Sequence, residues 1–457
     1  MIPEKFKEKM KDILGEDYPS FIDALENKAA VRGLRVNLIK TNPESFIKVF
    51  PYKTEKISYV ENGYILREDV AIGASPYHHA GLIYMQDPGA MATAASLNIH
   101  PDWWVADLCS APGGKSSQIA ERLGENGFIL SNEYVPKRAK IIVGNFERLG
   151  VKNAIVTSLD TAEIAKMYRG VFDLVVADAP CSGEGMFRKS DEALEDWSPE
   201  NVELCKNRQI EILNNAKNLV KPGGYLLYST CTYSPDENED VIGHFLSENK
   251  DYKLVKLKDD VEKNTCPGLK RYESTIENVS YARRFYPHIS DGEGQFVALM
   301  QRDENVEIKS TILYKDESKP ISKHEKSVID AFFKESLTSI PKGRLAKVGD
   351  NIILIPHECP IPKHGVFMSG VLLGEIKGSS FAPSHQFFSC YGQLLRENIT
   401  LSENDPRLAK YLRGEEIEID SNMRGWCAIL FEGAVLGGGK ASSGKIKNHY
   451  PKGLRTR

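Results

Sequence analysis

Short apolar runs recur through the middle of the chain, each ending at a polar residue or a turn. They are Trp104-Val105-Ala106-Asp107-Leu108, Phe128-Ile129-Leu130-Ser131-Asn132, Ala154-Ile155-Val156-Thr157-Ser158, Phe172-Asp173-Leu174-Val175-Val176-Ala177 and Gly224-Tyr225-Leu226-Leu227-Tyr228. Such runs predict strands buried on both faces. Between the last two, Val202, Gln209, Leu213, Ala216 and Val220 repeat near helical spacing. Ser198-Pro199-Glu200 supplies a cap and a first-turn proline, and Pro222-Gly223-Gly224 supplies a stop. This alternation across residues 86–302 predicts an α/β domain with a parallel, Rossmann-like sheet covered by helices. Gln295-Phe296-Val297-Ala298-Leu299-Met300 is expected as a late strand at the sheet edge.

Residues 1–85 form a separate block. It opens with an amphipathic stretch, continues through Gly33 to Lys40, and is punctuated by Pro51, Gly63 and Pro76. Residues 303–380 read as a linker, charged and irregular to about Lys326, and a first C-terminal subdomain. Residues 381–457 read as a further β-rich module. A length of 457 residues suits several domains. The net charge of −4 gives no overall basic field, so a nucleic-acid surface would have to be local. The apolar runs are too short to span a membrane, and the charged N-terminus has no secretory core. The eight cysteines form no Cys-x-x-Cys pair, which argues against zinc and against a disulfide framework. A cytoplasmic protein with reduced thiols, no metal and no membrane partner is expected.

Cys109-Ser110-Ala111-Pro112-Gly113-Gly114-Lys115 follows the first strand and opens a helix over Gln118 to Leu123. Cys109 stands where a Walker loop needs glycine, and Pro112 breaks the dinucleotide fingerprint. S-adenosylmethionine carries no phosphate, so it needs close backbone approach rather than a phosphate cradle. Glu133, after the second strand, can accept both ribose hydroxyls, and Asp160, after the third, can meet the adenine amine. Taken alone, the loop is also compatible with a plain strand-to-helix turn.

Two further motifs follow the last two strands: Asp178-Ala179-Pro180-Cys181-Ser182-Gly183 and Ser229-Thr230-Cys231-Thr232-Tyr233-Ser234. Ligands of open α/β sheets gather past the carboxyl ends of the strands, so both thiols are expected in one crevice. Two such thiols suit carbon-5 methylation of a pyrimidine. One adds to carbon 6, making carbon 5 nucleophilic, and a second group assists breakdown of the adduct. Asp178 is placed to meet the cytosine N3 edge. Lys115 either lowers a thiol pKa or is a solvated first-turn lysine. The residues alone leave open which cysteine attacks. Cys205, Cys266, Cys359, Cys390 and Cys427 read as small buried hydrophobes.

With Tyr84-Met85-Gln86-Asp87-Pro88-Gly89-Ala90-Met91, these motifs make the chain resemble the Sun-type RNA cytosine-C5 methyltransferases, most closely the bacterial RsmF branch. The resemblance spans about residues 25–302 and, more weakly, the rest. It implies Cys231 as nucleophile and Cys181 as the thiol that helps release product, with Asp178 and Lys115 beside them. It implies cofactor contacts from Cys109, Ser110, Ala111, Pro112, Gly113, Gly114, Lys115, Glu133, Asp160 and Asp178. Ser110 departs from the alanine of many relatives, a small-for-small change. Arg35-Val36-Asn37 resembles the N-terminal Arg-x-Asn element, so Arg35 and Asn37 are expected at RNA. A PUA-like C-terminal module is implied, and its tail from Gly437, with Lys440, Lys445, Lys447, Lys452, Arg455 and Arg457, has no acidic residue and fits a phosphate-contacting patch.

The expectation is thus a monomeric, S-adenosylmethionine-dependent methyltransferase acting on RNA, with 16S rRNA or the small ribosomal subunit implied by resemblance alone. Transfer RNA is the alternative target. A silent RNA-binding assembly factor would not need both cysteines, Asp178 and the cofactor loop together. A DNA methyltransferase would use the Pro-Cys thiol and would not need Thr230-Cys231.

Overall fold

In the computed structural model, residues 2–420 and 422–456 are described. The central strands are β1 (Trp104–Asp107), β2 (Phe128–Asn132), β3 (Ala154–Thr157), β4 (Phe172–Asp178), β5 (Val220–Thr230) and β6 (Gln295–Arg302). They lie in the order β3-β2-β1-β4-β5-β6, the first five parallel and β6 antiparallel to β5. The chain winds outward from β1 to β3, then returns to β4 on the other side of β1. The carboxyl ends of β1, β2, β4 and β5 therefore share one edge, where an open sheet of this kind binds ligands. Helix α4 (Pro199–Ala216) joins β4 to β5, and the Ser198 hydroxyl caps it by accepting from Asn201 N at 3.0 Å.

Strand β6 is internal, not an edge. Beyond it lie Arg283–Phe285 and Cys266–Pro267, and Tyr252–Val255 pairs with its far end. Burial of nearly every β6 side chain reflects that double coverage.

The segment expected as a linker is pinned to the central α/β domain. Thr311–Ile312 pairs with Tyr168–Arg169, and the Tyr314 and Tyr168 hydroxyls lie 2.6 Å apart. Val366–Ser369 adds an antiparallel strand to the outer side of β3. Residues 319–383 otherwise build a five-stranded sheet whose last strand is Ser380–Pro383, so a boundary at 381 would cut a paired strand. A second five-stranded sheet follows from Asn398 to Asn448.

At the N-terminus, α1 (Glu4–Leu14) and α2 (Tyr18–Asn27) set Phe6, Met10 and Phe21 against Phe187, Trp197 and Tyr233, behind the two cysteine motifs. A four-stranded sheet follows, containing Gly33–Val36.

Here the structure corrects the RNA-contact expectation for Arg35 and Asn37. The Arg35 guanidinium is 1% exposed, lies 2.5 Å from the Glu121 carboxylate and donates to Ser117 Oγ at 2.7 Å. The Asn37 amide donates to Gly81 O and Leu149 O at 2.8 and 2.9 Å. A buried cation needs a buried anion, so this element joins the N-terminal block to the central α/β domain instead of meeting solvent. Arg35→Ala leaves the buried Glu121 carboxylate with Arg122, at 3.1 Å, as its remaining cation. Urea unfolding is expected to show a loss of about 3 kcal/mol, the lower end for a broken buried pair. The salt dependence of RNA binding by the folded variant should not change, and a shallower slope would return Arg35 to the RNA.

Candidate active site

The glycine loop leaves β1 and turns back at Gly113, whose φ of +102° favours a residue without Cβ. Ser110 fastens the loop to β2, its N and Oγ both donating to Asn132 O at 2.9 Å. Helix α3 (Gly114–Ala120) starts earlier than its apolar positions suggest and carries Lys115 inward. The Lys115 ammonium meets Asp178 Oδ2 at 2.7 Å, and Asp178 Oδ1 accepts from Ser229 Oγ at 2.6 Å. Burial lowers the Lys115 pKa, but the Asp178 charge and hydrogen bond outweigh it, so the net shift is upward and Lys115 stays an ammonium.

Cys181 and Cys231 meet. Their sulfurs lie 3.1 Å apart across the ends of β4 and β5. The contact follows from register, which sets Ser229 beside Asp178 so that each chain leaves its strand at the same level. Gly185 N donates to Cys231 O at 2.8 Å. A Cβ on Gly185 would come within 2.7 Å of that oxygen, so glycine is required for the close approach. The hydrogen bond with Cys231 and then burial push the Cys181 thiol well above its ordinary pKa, so Cys181 rests as a thiol. Burial, with the charges of Asp107, Asp178 and Glu133, likewise keeps Cys109 protonated. Cys205, Cys359, Cys390 and Cys427 are buried; Cys266 is half-buried.

Glu133 is almost buried at the end of β2. Its Oε1 accepts from Val135 N at 2.9 Å, and Oε2 faces Arg138 at 3.5 Å. Asp160 is exposed and caps a short helix by accepting from Ala162 N at 2.8 Å. Both stand on the same sheet edge as the glycine loop. The basic residues of the C-terminal sheet form a separate group. Lys440 lies directly opposite Lys447 on paired strands, Lys445 is two positions along on the same face, and all three are exposed. The Lys440 ammonium sits 5.5 Å from the Trp426 ring centroid. Lys452 is exposed, Arg455 is partly buried and donates to Tyr450 O, and Arg457 lies outside the described residues.

Three acids escaped the sequence reading. Glu184 and Glu237 are wholly buried behind the cysteine loops. Glu184 lies in the continuation Gly183-Glu184-Gly185 of the first cysteine motif, which carries the family resemblance without giving that acid a role, and nothing distinguishes Glu237 in sequence from a surface carboxylate. Asp107 ends β1, fully buried, with Oδ2 accepting from Ser116 Oγ at 2.5 Å and Oδ1 without a protein partner. Its place at the end of an apolar run was a signal that could have been used.

An α/β sheet of this order, with a non-phosphate glycine loop and acids at successive strand ends, defines a Rossmann-like methyltransferase. Residues 2–88 match the N-terminal domain of 16S rRNA methyltransferase RsmF, residues 94–301 the 16S rRNA methyltransferase RsmB/F family, and residues 398–456 the methyltransferase RsmF PUA domain. The chain is 30% identical over 467 residues to ribosomal RNA small subunit methyltransferase F of Aliivibrio salmonicida, covering 96% of this chain and 95% of that one. It is 28% identical over 478 residues to the protein of that name from Vibrio vulnificus, covering 99% and 97%. A solved methyltransferase homolog from Pyrococcus horikoshii superposes with a TM-score of 0.58 at 29% identity, over 66% of this chain and 95% of that one. The chain belongs to the RsmF family of methyltransferases.

Burial raises the Asp107 pKa from 3.8 to about 7. A raised acid opposes folding once ionised. Its cost is absent below 3.8, grows as pH rises and is complete above about 7. Relative to Asp107→Asn, the wild type should lose on the order of 4 kcal/mol between about pH 4 and pH 7. Paired denaturant titrations measure this difference; parallel curves would place Asp107 in a solvated setting.

Proposed function

We propose that this protein methylates carbon 5 of cytosine in 16S rRNA, using S-adenosylmethionine and a transient covalent bond between Cys231 and the base. The contact of the Cys181 and Cys231 sulfurs, 3.1 Å apart beside the Asp178–Lys115 pair, carries this reading. The small-subunit target rests on the names of the relatives. Action on ribosomal RNA supports a place in the cytoplasm. Among the described residues no helix is long and apolar enough to cross a membrane.

The residues present fit the cofactor. Asp107 Oδ1 is a buried acceptor without a partner, and the loop from Cys109 to Lys115 allows close backbone approach. Asp107 is an acceptor for the amino group, Glu133 for the ribose and Asp160 for the adenine amine. When bound, S-adenosylmethionine supplies an electrophilic methyl group on a sulfonium. The target cytosine must leave its stack to reach a strand-end thiol. Asp178 meets the N3 edge, with the Lys115 ammonium behind it as the proton reserve. The Cys231 thiol gives up its proton to water as its sulfur adds to carbon 6, which makes carbon 5 nucleophilic toward the methyl group. The carbon-5 proton then passes to water and the sulfur–carbon bond breaks. Cys181, held as a thiol, donates its hydrogen bond to the departing Cys231 sulfur.

The two thiols should fail differently. Cys231→Ala is expected to abolish methylation and leave no adduct. Cys181→Ala should methylate once and stall as a protein–RNA adduct that survives denaturing gels. The reverse pattern would exchange their roles, and activity in both would remove covalent catalysis. Bisulfite sequencing of ribosomal and transfer RNA from a deletion strain identifies the target.

We further propose that Lys440, Lys445 and Lys447 contact RNA phosphate. Like charges directly opposite one another across strands are unfavourable unless an anion relieves them. Replacing Lys440 and Lys447 together by alanine should reduce the log–log salt slope of RNA binding by roughly 1.5. An unchanged slope would move the RNA elsewhere.

A further inference from the structure

Each cysteine loop lends a buried carboxylate to the other. Glu184 follows Cys181 in the chain, yet its Oε2 accepts from Thr232 Oγ1 at 2.8 Å and Tyr233 N at 3.0 Å, next to Cys231. Trp197 Nε1 donates to its other oxygen at 3.0 Å. Glu237 follows Cys231, yet its Oε2 accepts from Ser182 N at 2.9 Å, next to Cys181, and from Gln209 Nε2 at 2.9 Å. Its Oε1 lies 2.5 Å from the Ser182 hydroxyl, which lies 3.1 Å from that of Thr232.

Glu237, Ser182, Thr232 and Glu184 thus form one chain with three oxygen–oxygen contacts and only two hydroxyl hydrogens. All three contacts become hydrogen bonds only when one carboxyl carries a proton. Glu237 is the suited end. Burial pushes its pKa up to about 7, although Ser182 and Gln209 bond to it. Its Oε2 receives two N–H groups, which leaves Oε1 to donate to Ser182.

We propose that Glu237, acting through Ser182 and Thr232, is the positioning residue that holds the Cys181 thiol against the Cys231 sulfur while the RNA adduct breaks down. This rests on the reading of Cys181 as the releasing thiol. Glu237 is wholly buried behind the loop; losing it lets the Cys181 loop drift and slows release without impairing attack.

The experiment uses the full-length protein with S-adenosylmethionine and target RNA, and runs Cys181→Ala alongside. Glu237→Ala is expected to lower turnover by roughly tenfold to a hundredfold, as a displaced catalytic group does, with KM for RNA unchanged and a gel-stable adduct accumulating. Glu237→Gln should restore turnover and clear the adduct, because its amide N–H supplies the missing hydrogen and its carbonyl still accepts from Ser182 N. Ser182→Ala keeps its backbone bond to Glu237 and should stall as well; it carries the test where Glu237→Ala folds poorly. An adduct in Cys181→Ala but in neither clamp variant overturns the proposal alone, as does stalling of Glu237→Gln to the level of alanine. No adduct in Cys181→Ala overturns the releasing role and the proposal with it.

Discussion

Parallel pairing of β4 with β5, in the register that sets Ser229 beside Asp178, is the constraint on which the catalytic edge depends. Main-chain hydrogen bonds fix that register, and apolar side chains on both faces resist a slip. Two loops of unrelated sequence then begin at one level and lean together. The sulfur contact, the Asp178–Lys115 pair and the Gly185 hydrogen bond to Cys231 all follow from it.

Buried charge secures what the register begins. Glu239 pairs with Arg284 behind the Cys231 loop, and Arg188 pairs with Glu293 at 2.7 Å behind the Cys181 loop. Arg35 and Glu121 do the same between the N-terminal block and α3. Such pairs return little net stability after desolvation, but removing one partner is costly. Each joins segments far apart in the chain. The carboxylates behind the thiols therefore hold loops in place, while the acids facing the crevice are left to chemistry.

The C-terminal half is built onto the sheet. Val366–Ser369 covers the β3 edge, which would otherwise expose unpaired backbone groups beside the proposed cofactor site. Gly370, at a φ of +59°, turns the chain into the next sheet. Phe387 and Phe388 pack that sheet against the last one, which carries the lysines. Continuous packing thus runs from the strand-end acids to the basic hairpin.

The apolar runs by themselves determined the α/β core, because a strand buried on both faces must be apolar along its length, and the Ser198-Pro199 cap marked the main helix. The strand-end positions of Cys181, Cys231, Asp178, Glu133 and Asp160 were legible for the same reason, since chain direction in a parallel sheet sends every carboxyl end to one edge. Only the tertiary structure decided how the charged residues divide. Arg35 and Asn37 looked like surface recognition groups, and burial against Glu121 and backbone carbonyls made them joints. Glu184 and Glu237 received no role from the sequence, and the crossing of two loops made them clamps. The edge strand from Val366 was hidden too, because its partner, β3, lies some two hundred residues earlier in the chain. A carboxylate or guanidinium carries no local signature of its partner; only the fold brings the two together.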